Sequence, residues 1–148
     1  MTLDGDYPTI YVTDGPEYIQ QGKMVSIMDR LITKGKMKPV IAVFVDARNP
    51  DDLRITRRNK QYSYKEGFAK FFVSEMIATI ENKYPVRLNK QDRVIQGASM
   101  GGLNAACFGI MVTNEFADYP CIHQAISTIC VRSEKNMQSI MRFQLRFL

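Results

Sequence analysis

The chain has 148 residues, 45% apolar and 24% charged, with a formal net charge of +5. That fits one globular domain and excludes a disordered tail, a collagen-like repeat and a disulfide-dense mini-protein, while a basic excess this modest and dispersed argues against a nucleic-acid footprint. No apolar run nears the ~18 residues of a membrane span, and the acidic opening MTLDGDYPTIYVTDG lacks a signal-peptide pattern, so a cytoplasmic domain without membrane contact is expected.

Ile10 to Thr13 reads as a short strand ended by the turn Asp14-Gly15-Pro16. Met24, Ile27, Met28, Leu31 and Ile32 then recur at i, i+3, i+4, i+7 and i+8, one face of a helix from Lys23 to Thr33, with Gly35 as its stop. Val40 to Val45 (VIAVFV) is an unbroken apolar run, as a parallel strand covered on both faces requires.

A polar connection from Asp46 to about Lys65 is long enough to be a candidate functional loop. Its cluster Arg54, Arg57, Arg58 and Lys60 reads either as a solvated stretch or as a rim attracting an anionic ligand. Phe68, Phe71, Phe72, Ile77 and Ile80 mark a second helix ending at Tyr84-Pro85. Arg93 to Gln96 is a strand, and Leu103 to Met111 lies in a small, apolar helix beyond it. Ala125 to Val131 reads as another strand and Met137 to Leu148 as a short amphipathic helix.

This alternation predicts an α/β fold, a mostly parallel sheet with helices on both faces, in one domain spanning 1–148. Cys107, Cys121 and Cys130 are odd in number, and no CxxC or Cys–His spacing is present, so no metal site and no cofactor are expected.

Gly97-Ala98-Ser99-Met100-Gly101 matches G-x-S-x-G between a strand and a helix. A serine on such a turn has its hydroxyl clear of the sheet, and side chains at the flanking glycine positions would collide with the turn or a neighbouring strand. The Met100 N–H and the start of the helix can stabilise an oxyanion. Because no Lys follows the glycines, a phosphate-binding loop is disfavoured.

Several stretches together resemble the esterase branch of the α/β-hydrolase superfamily, which includes siderophore (enterochelin-type) esterases, feruloyl esterases and mycolyltransferases. They are YPTIYVTDGPEYI at 7–19, MVSIMDRLITKGK, KPVIAVFVDAR at 38–48, Arg57-Arg58-Asn59, FAKFFVSEMIATIENKY at 68–84 and DRVIQGASMGGLNAA at 92–106. The resemblance spans about 7–111, and 118–148 diverges.

It implies a serine carboxylic-ester hydrolase acting on a small-molecule ester. Ser99 would be the nucleophile, Met100 would supply one oxyanion N–H and the loop at Gly15 the other. Arg57 and Arg58 would lie near the substrate entrance.

Family members place strands before the one at Tyr7–Thr13, and their acid and histidine come late. Here Pro16 offers no N–H. The single histidine, His123, lies 24 residues after Ser99; the acids after Ser99 are Glu115, Asp118 and Glu134, and the order Ser99, Asp118, His123 satisfies the Ser–acid–His order. The expectation is therefore an incomplete fold, truncated at both ends. Little turnover of its own and self-association through an exposed sheet edge are expected. The alternative is a degenerate, non-catalytic hydrolase serving as a binding or assembly module.

Overall fold

The computed structural model describes residues 6–62, 64–112, 114–116, 122–124 and 127–129, the last two segments as backbone. The parallel part of its sheet is β1 (Thr9–Thr13), flanked by β2 (Ile41–Val45) and β5 (Arg93–Gly97), both parallel to it. The register pairs Tyr11 with Val43 on one side and with Ile95 on the other. Side chains alternate across a strand. Tyr11, Val43, Val45 and Ile95 accordingly share one apolar cluster, while Val12 and Met28 are buried outside it.

Helices cover both faces. α1 (Gly15–Gln20) lies over β2, with α2 (Met24–Thr33) beside it. Gly15 is needed there, because a Cβ on it would sit 2.6 Å from Phe44 Cβ. The sequence predicts the Asp14-Gly15-Pro16 turn but not α1, since six residues are too few to show a helical period. Gly35 ends α2 as expected. It adopts φ 64°, its N–H reaches Ile32 O at 2.9 Å, and the Lys36 N–H reaches Leu31 O at 2.9 Å. That is the left-handed stop that glycine makes without steric cost.

The stretch expected to be a polar connection from Asp46 to Lys65 carries structure of its own. β3 (Arg48–Asn49) pairs antiparallel with β4 (Asp52–Thr56), and α3 (Arg58–Gln61) follows. The period-2 alternation of Leu53 and Ile55 with Asp52, Arg54 and Thr56 was the overlooked signal.

The next helix runs through α4 (Glu66–Phe71), a π-helical turn (Phe72–Ile77) and α5 (Ala78–Lys83). Phe72 and Ile77 are five residues apart, more than one 3.6-residue turn brings to a common face. The π turn absorbs the extra residue, and both side chains are buried. Phe72 meets Phe108 edge-on at 4.9 Å between ring centroids and Tyr11 at 5.3 Å. Each such pair contributes about 0.5–1.5 kcal/mol beyond the area it buries.

α6 (Met100–Met111) packs on β5 and β1 on this same side. After it, β6 (Ile122–Gln124) and β7 (Ser127–Ile129) extend the sheet in the order β2-β1-β5-β7-β6. The strand expected at Ala125–Val131 is thus β7 within narrower bounds, and it runs antiparallel to β5. The sheet is mostly parallel at its centre and antiparallel at this end. Cys121, Cys130 and the tail Met137–Leu148 lie outside the described residues.

Candidate active site

Ser99 stands between β5 and α6 at φ 52° and ψ −121°. For a residue with a Cβ this backbone conformation is strained, at a cost of about 1–3 kcal/mol, and it persists only where the surroundings enforce it. Here they do. The Gly101 N–H returns to Ala98 O at 2.9 Å and the Leu103 N–H to Ser99 O at 3.0 Å, so the turn closes directly into the helix. Met100 is the first residue of α6, where an N–H has no partner within the helix. It stands next to Ser99, with the positive end of the helix dipole behind it.

The glycines on either side are demanded by contact. A Cβ at Gly97 would collide with the backbone carbonyl of Gly101 and the hydroxyl of Thr13. One at Gly101 would come within 2.7 Å of Thr13 Oγ1 and 2.6 Å of Asp14 Oδ2. Thr13, fully buried, offers its single hydroxyl proton to Gln96 O at 3.0 Å and Gly101 O at 3.2 Å. It thereby ties the strand before Ser99 and the helix after it to the end of β1.

Asp14 follows in the left-handed conformation (φ 57°, ψ 44°), which aspartate tolerates better than most residues. Its carboxylate is buried, and Arg58 Nη2 donates to Oδ2 at 2.8 Å. Its N–H donates to Tyr62 Oη at 3.2 Å. Burial pushes the Asp14 carboxyl up from its ordinary value, partly offset by the Arg58 guanidinium. Burial likewise pushes the Tyr62 phenol up. Of the amides in this turn, Pro16 has none and Glu17's goes to Asp14 O at 3.1 Å. Gly15 keeps an N–H without an acceptor among the described residues.

Three arginines of this stretch, Arg48, Arg54 and Arg58, face carboxylates, while Arg57 bonds to a neutral amide and keeps its charge. Arg48 pairs with Asp46 at 2.6 Å and Arg54 with Asp52 at 2.9 Å. Arg57 Nη2 donates to Asn49 Oδ1 at 2.5 Å, which fastens the β3–β4 hairpin. Arg58 turns inward to Asp14. The two residues expected together at the entrance therefore diverge. Arg58 reaches the elbow's supporting layer, and Arg57 braces the hairpin.

His123 lies in β6, where its backbone pairs with Thr128, which in turn pairs with Gly97. Two strand spacings put its backbone about 10 Å across the sheet from Gly97. Asp118 lies outside the described residues. Among the described residues no group of three or more His, Cys, Asp or Glu could hold a metal ion. No helix among them is long and apolar enough to cross a membrane. Sequence reasoning missed Thr13, Asp14 and Tyr62 as parts of this region. Only the Asp-Gly turn hinted at one of them, since their partners lie 44 to 88 residues away.

Comparison with known proteins gives three relatives of note. An endo-1,4-beta-xylanase/feruloyl esterase of Xylanibacter ruminicola is 33% identical over 102 residues, covering 66% of this chain and 14% of that protein. A ferulic acid esterase structure superposes with a TM-score of 0.58 at 26% identity, covering 78% of this chain and 45% of the other. The enterobactin esterase of Shigella flexneri, solved in the presence of enterobactin, shares the fold with a TM-score of 0.67 at 19% identity, covering 77% of this chain and 28% of that one. The chain thus spans less than half the length of each relative. The model of one family, described as Putative esterase, matches residues 2–121. By that match, together with its α/β-hydrolase-like sheet and G-x-S-x-G turn, the chain belongs to the Putative esterase family.

Proposed function

We propose that this chain carries the nucleophile of a serine carboxylic-ester hydrolase. The observation that carries the reading is Ser99, held at φ 52° on a closed strand-to-helix turn with the first N–H of α6 beside it. In the reaction, Ser99 Oγ attacks the ester carbonyl and gives its proton to a base. The Met100 N–H and the Gly15 N–H hold the tetrahedral oxyanion. The alcohol then departs, and water releases the acid from the acyl-serine.

The ester class follows from two supports. The relatives include feruloyl, ferulic acid and enterobactin esterases. The arginine that reaches the elbow, Arg58, is paired with the buried Asp14 carboxylate. An aromatic acyl group that brings no charge against the elbow fits these conditions. His123 is the residue proposed as base, with Asp118 as its acid. Since the backbone of His123 stands two strands from β5, turnover is expected to be low.

A fluorophosphonate probe and a p-nitrophenyl ester test the reading on the full chain. Labelling should map to Ser99 and vanish in Ser99→Ala, with little hydrolysis above that variant. Absence of labelling would favour a non-catalytic binding or assembly module. Robust hydrolysis abolished by both Ser99→Ala and His123→Ala would assign full base catalysis to His123.

A further inference from the structure

We propose that Arg58 is a positioning residue that acts through Asp14 to fix the β1–α1 turn against the Ser99 elbow. The inference rests on the esterase reading of Ser99 and adds a specific mechanical role to it. Asp14 is gripped at two points by one short segment. Arg58, the first residue of α3, holds its carboxylate at 2.8 Å, and Tyr62, just past the end of α3, accepts its N–H at 3.2 Å. The Arg58 guanidinium also lies over the Tyr62 ring at 5.9 Å, so the two grips brace each other.

The gripped residue has the conformation that most needs support, since φ 57° is uncommon for a residue with a side chain. Its ψ sets the direction of the next amide, that of Gly15. The same carboxylate oxygen that Arg58 holds is packed against the Cα of Gly101, where no Cβ fits. A movement of Asp14 would therefore reach both proposed oxyanion donors, Gly15 by the chain and Met100 through Gly101. Arg58 does this from the segment between β4 and α4, distant in sequence from both turns. Its Nη2 is committed to Asp14, while its Nε is buried without a partner among the described residues, so the split between kinact and KI is what separates a positioning role from substrate binding.

The test compares fluorophosphonate inactivation kinetics of wild type, Arg58→Ala, Arg58→Lys, Tyr62→Phe and a Lys60→Ala control in the full chain. Amide hydrogen exchange of residues 13–15 and 98–101 is measured on the same samples. The expected result is a fall in kinact on the order of tenfold or more for Arg58→Ala at unchanged KI, partial recovery in Arg58→Lys, and wild-type behaviour in Lys60→Ala. Exchange at 98–101 should rise along with that at 13–15.

A rise in KI at constant kinact would make Arg58 a substrate contact and overturn the proposal, as would unchanged kinetics. If Arg58→Ala does not fold, Tyr62→Phe decides, with a smaller fall in kinact expected and none overturning it. If wild type itself is not labelled, the esterase reading fails separately. The clamp then stands or falls on whether the loss of Arg58 or of the Tyr62 hydroxyl raises exchange at 98–101.

Discussion

Gly97 and Gly101 meet so closely across the elbow that a methyl group on the first would run into the carbonyl of the second. Strand and helix are in backbone contact there, with Thr13 filling the remaining space. Gly97→Ala should therefore destabilise the fold by about 1–3 kcal/mol or more, since neither backbone can yield without moving Ser99. Urea unfolding of the two proteins measures this, and a cost below ~0.5 kcal/mol would show that the contact relaxes easily.

Ser99 holds a conformation that glycine adopts freely and alanine does not. Ser99→Gly should therefore be more stable than Ser99→Ala by about 1 kcal/mol, even after the extra unfolded-state entropy of glycine. Thermal melts of both variants check the order. Equal melting temperatures would mean that the turn stores little strain.

Asp14 has a carboxyl raised above its ordinary 3.8, mainly by burial, with Arg58 as the largest opposing influence. A raised folded-state value means that the native protein binds this proton more tightly than the unfolded chain does. The stability tied to Asp14 is thus present in full below 3.8 and is lost as pH rises through the raised value. Relative to Asp14→Asn, wild type should gain stability as pH falls through that window. Arg58→Ala should move the Asp14 carboxyl further up, and a carbon-detected NMR titration reads both values directly. A downward move in Arg58→Ala would contradict the pairing.

Phe72 is the hub of the aromatic cluster, touching Tyr11, Phe68, Phe108 and Phe116. Phe72→Ala should cost about 3–5 kcal/mol in chemical denaturation. The neighbouring Phe71, 41% exposed, should cost much less when truncated. Similar losses at both positions would put the core boundary elsewhere.

Much of this was legible in the sequence because the information was local. VIAVFV reads as a parallel strand, Gly35 as a helix stop and GASMG as a strand-to-helix turn, each from a few adjacent residues. What escaped was either short or remote. α1 has six residues, and the β3–β4 hairpin hid among charges. The grip of Arg58 on Asp14 joins residues 44 apart, for which no local pattern exists. The resemblance implies that Arg57 and Arg58 lie near a substrate entrance, and adjacent residues at the start of a helix point in different directions. One served a hairpin and the other a buried carboxylate.

The π turn gives the helix from Glu66 to Lys83 one residue more than its buried face needs. Ser74, exposed and with its hydroxyl donating to Lys70 O at 2.8 Å, sits inside that surplus. Loss of the single codon for Ser74 would leave the Phe72 and Ile77 side chains four positions apart, still on one face of an ordinary α-helix. The same loss in α5 would turn the remainder of the helix by about 100° and swing Ile80 or Glu81 off its partners. This helix therefore has one point at which its length is adjustable, and an inherited deletion there would leave the aromatic core in register.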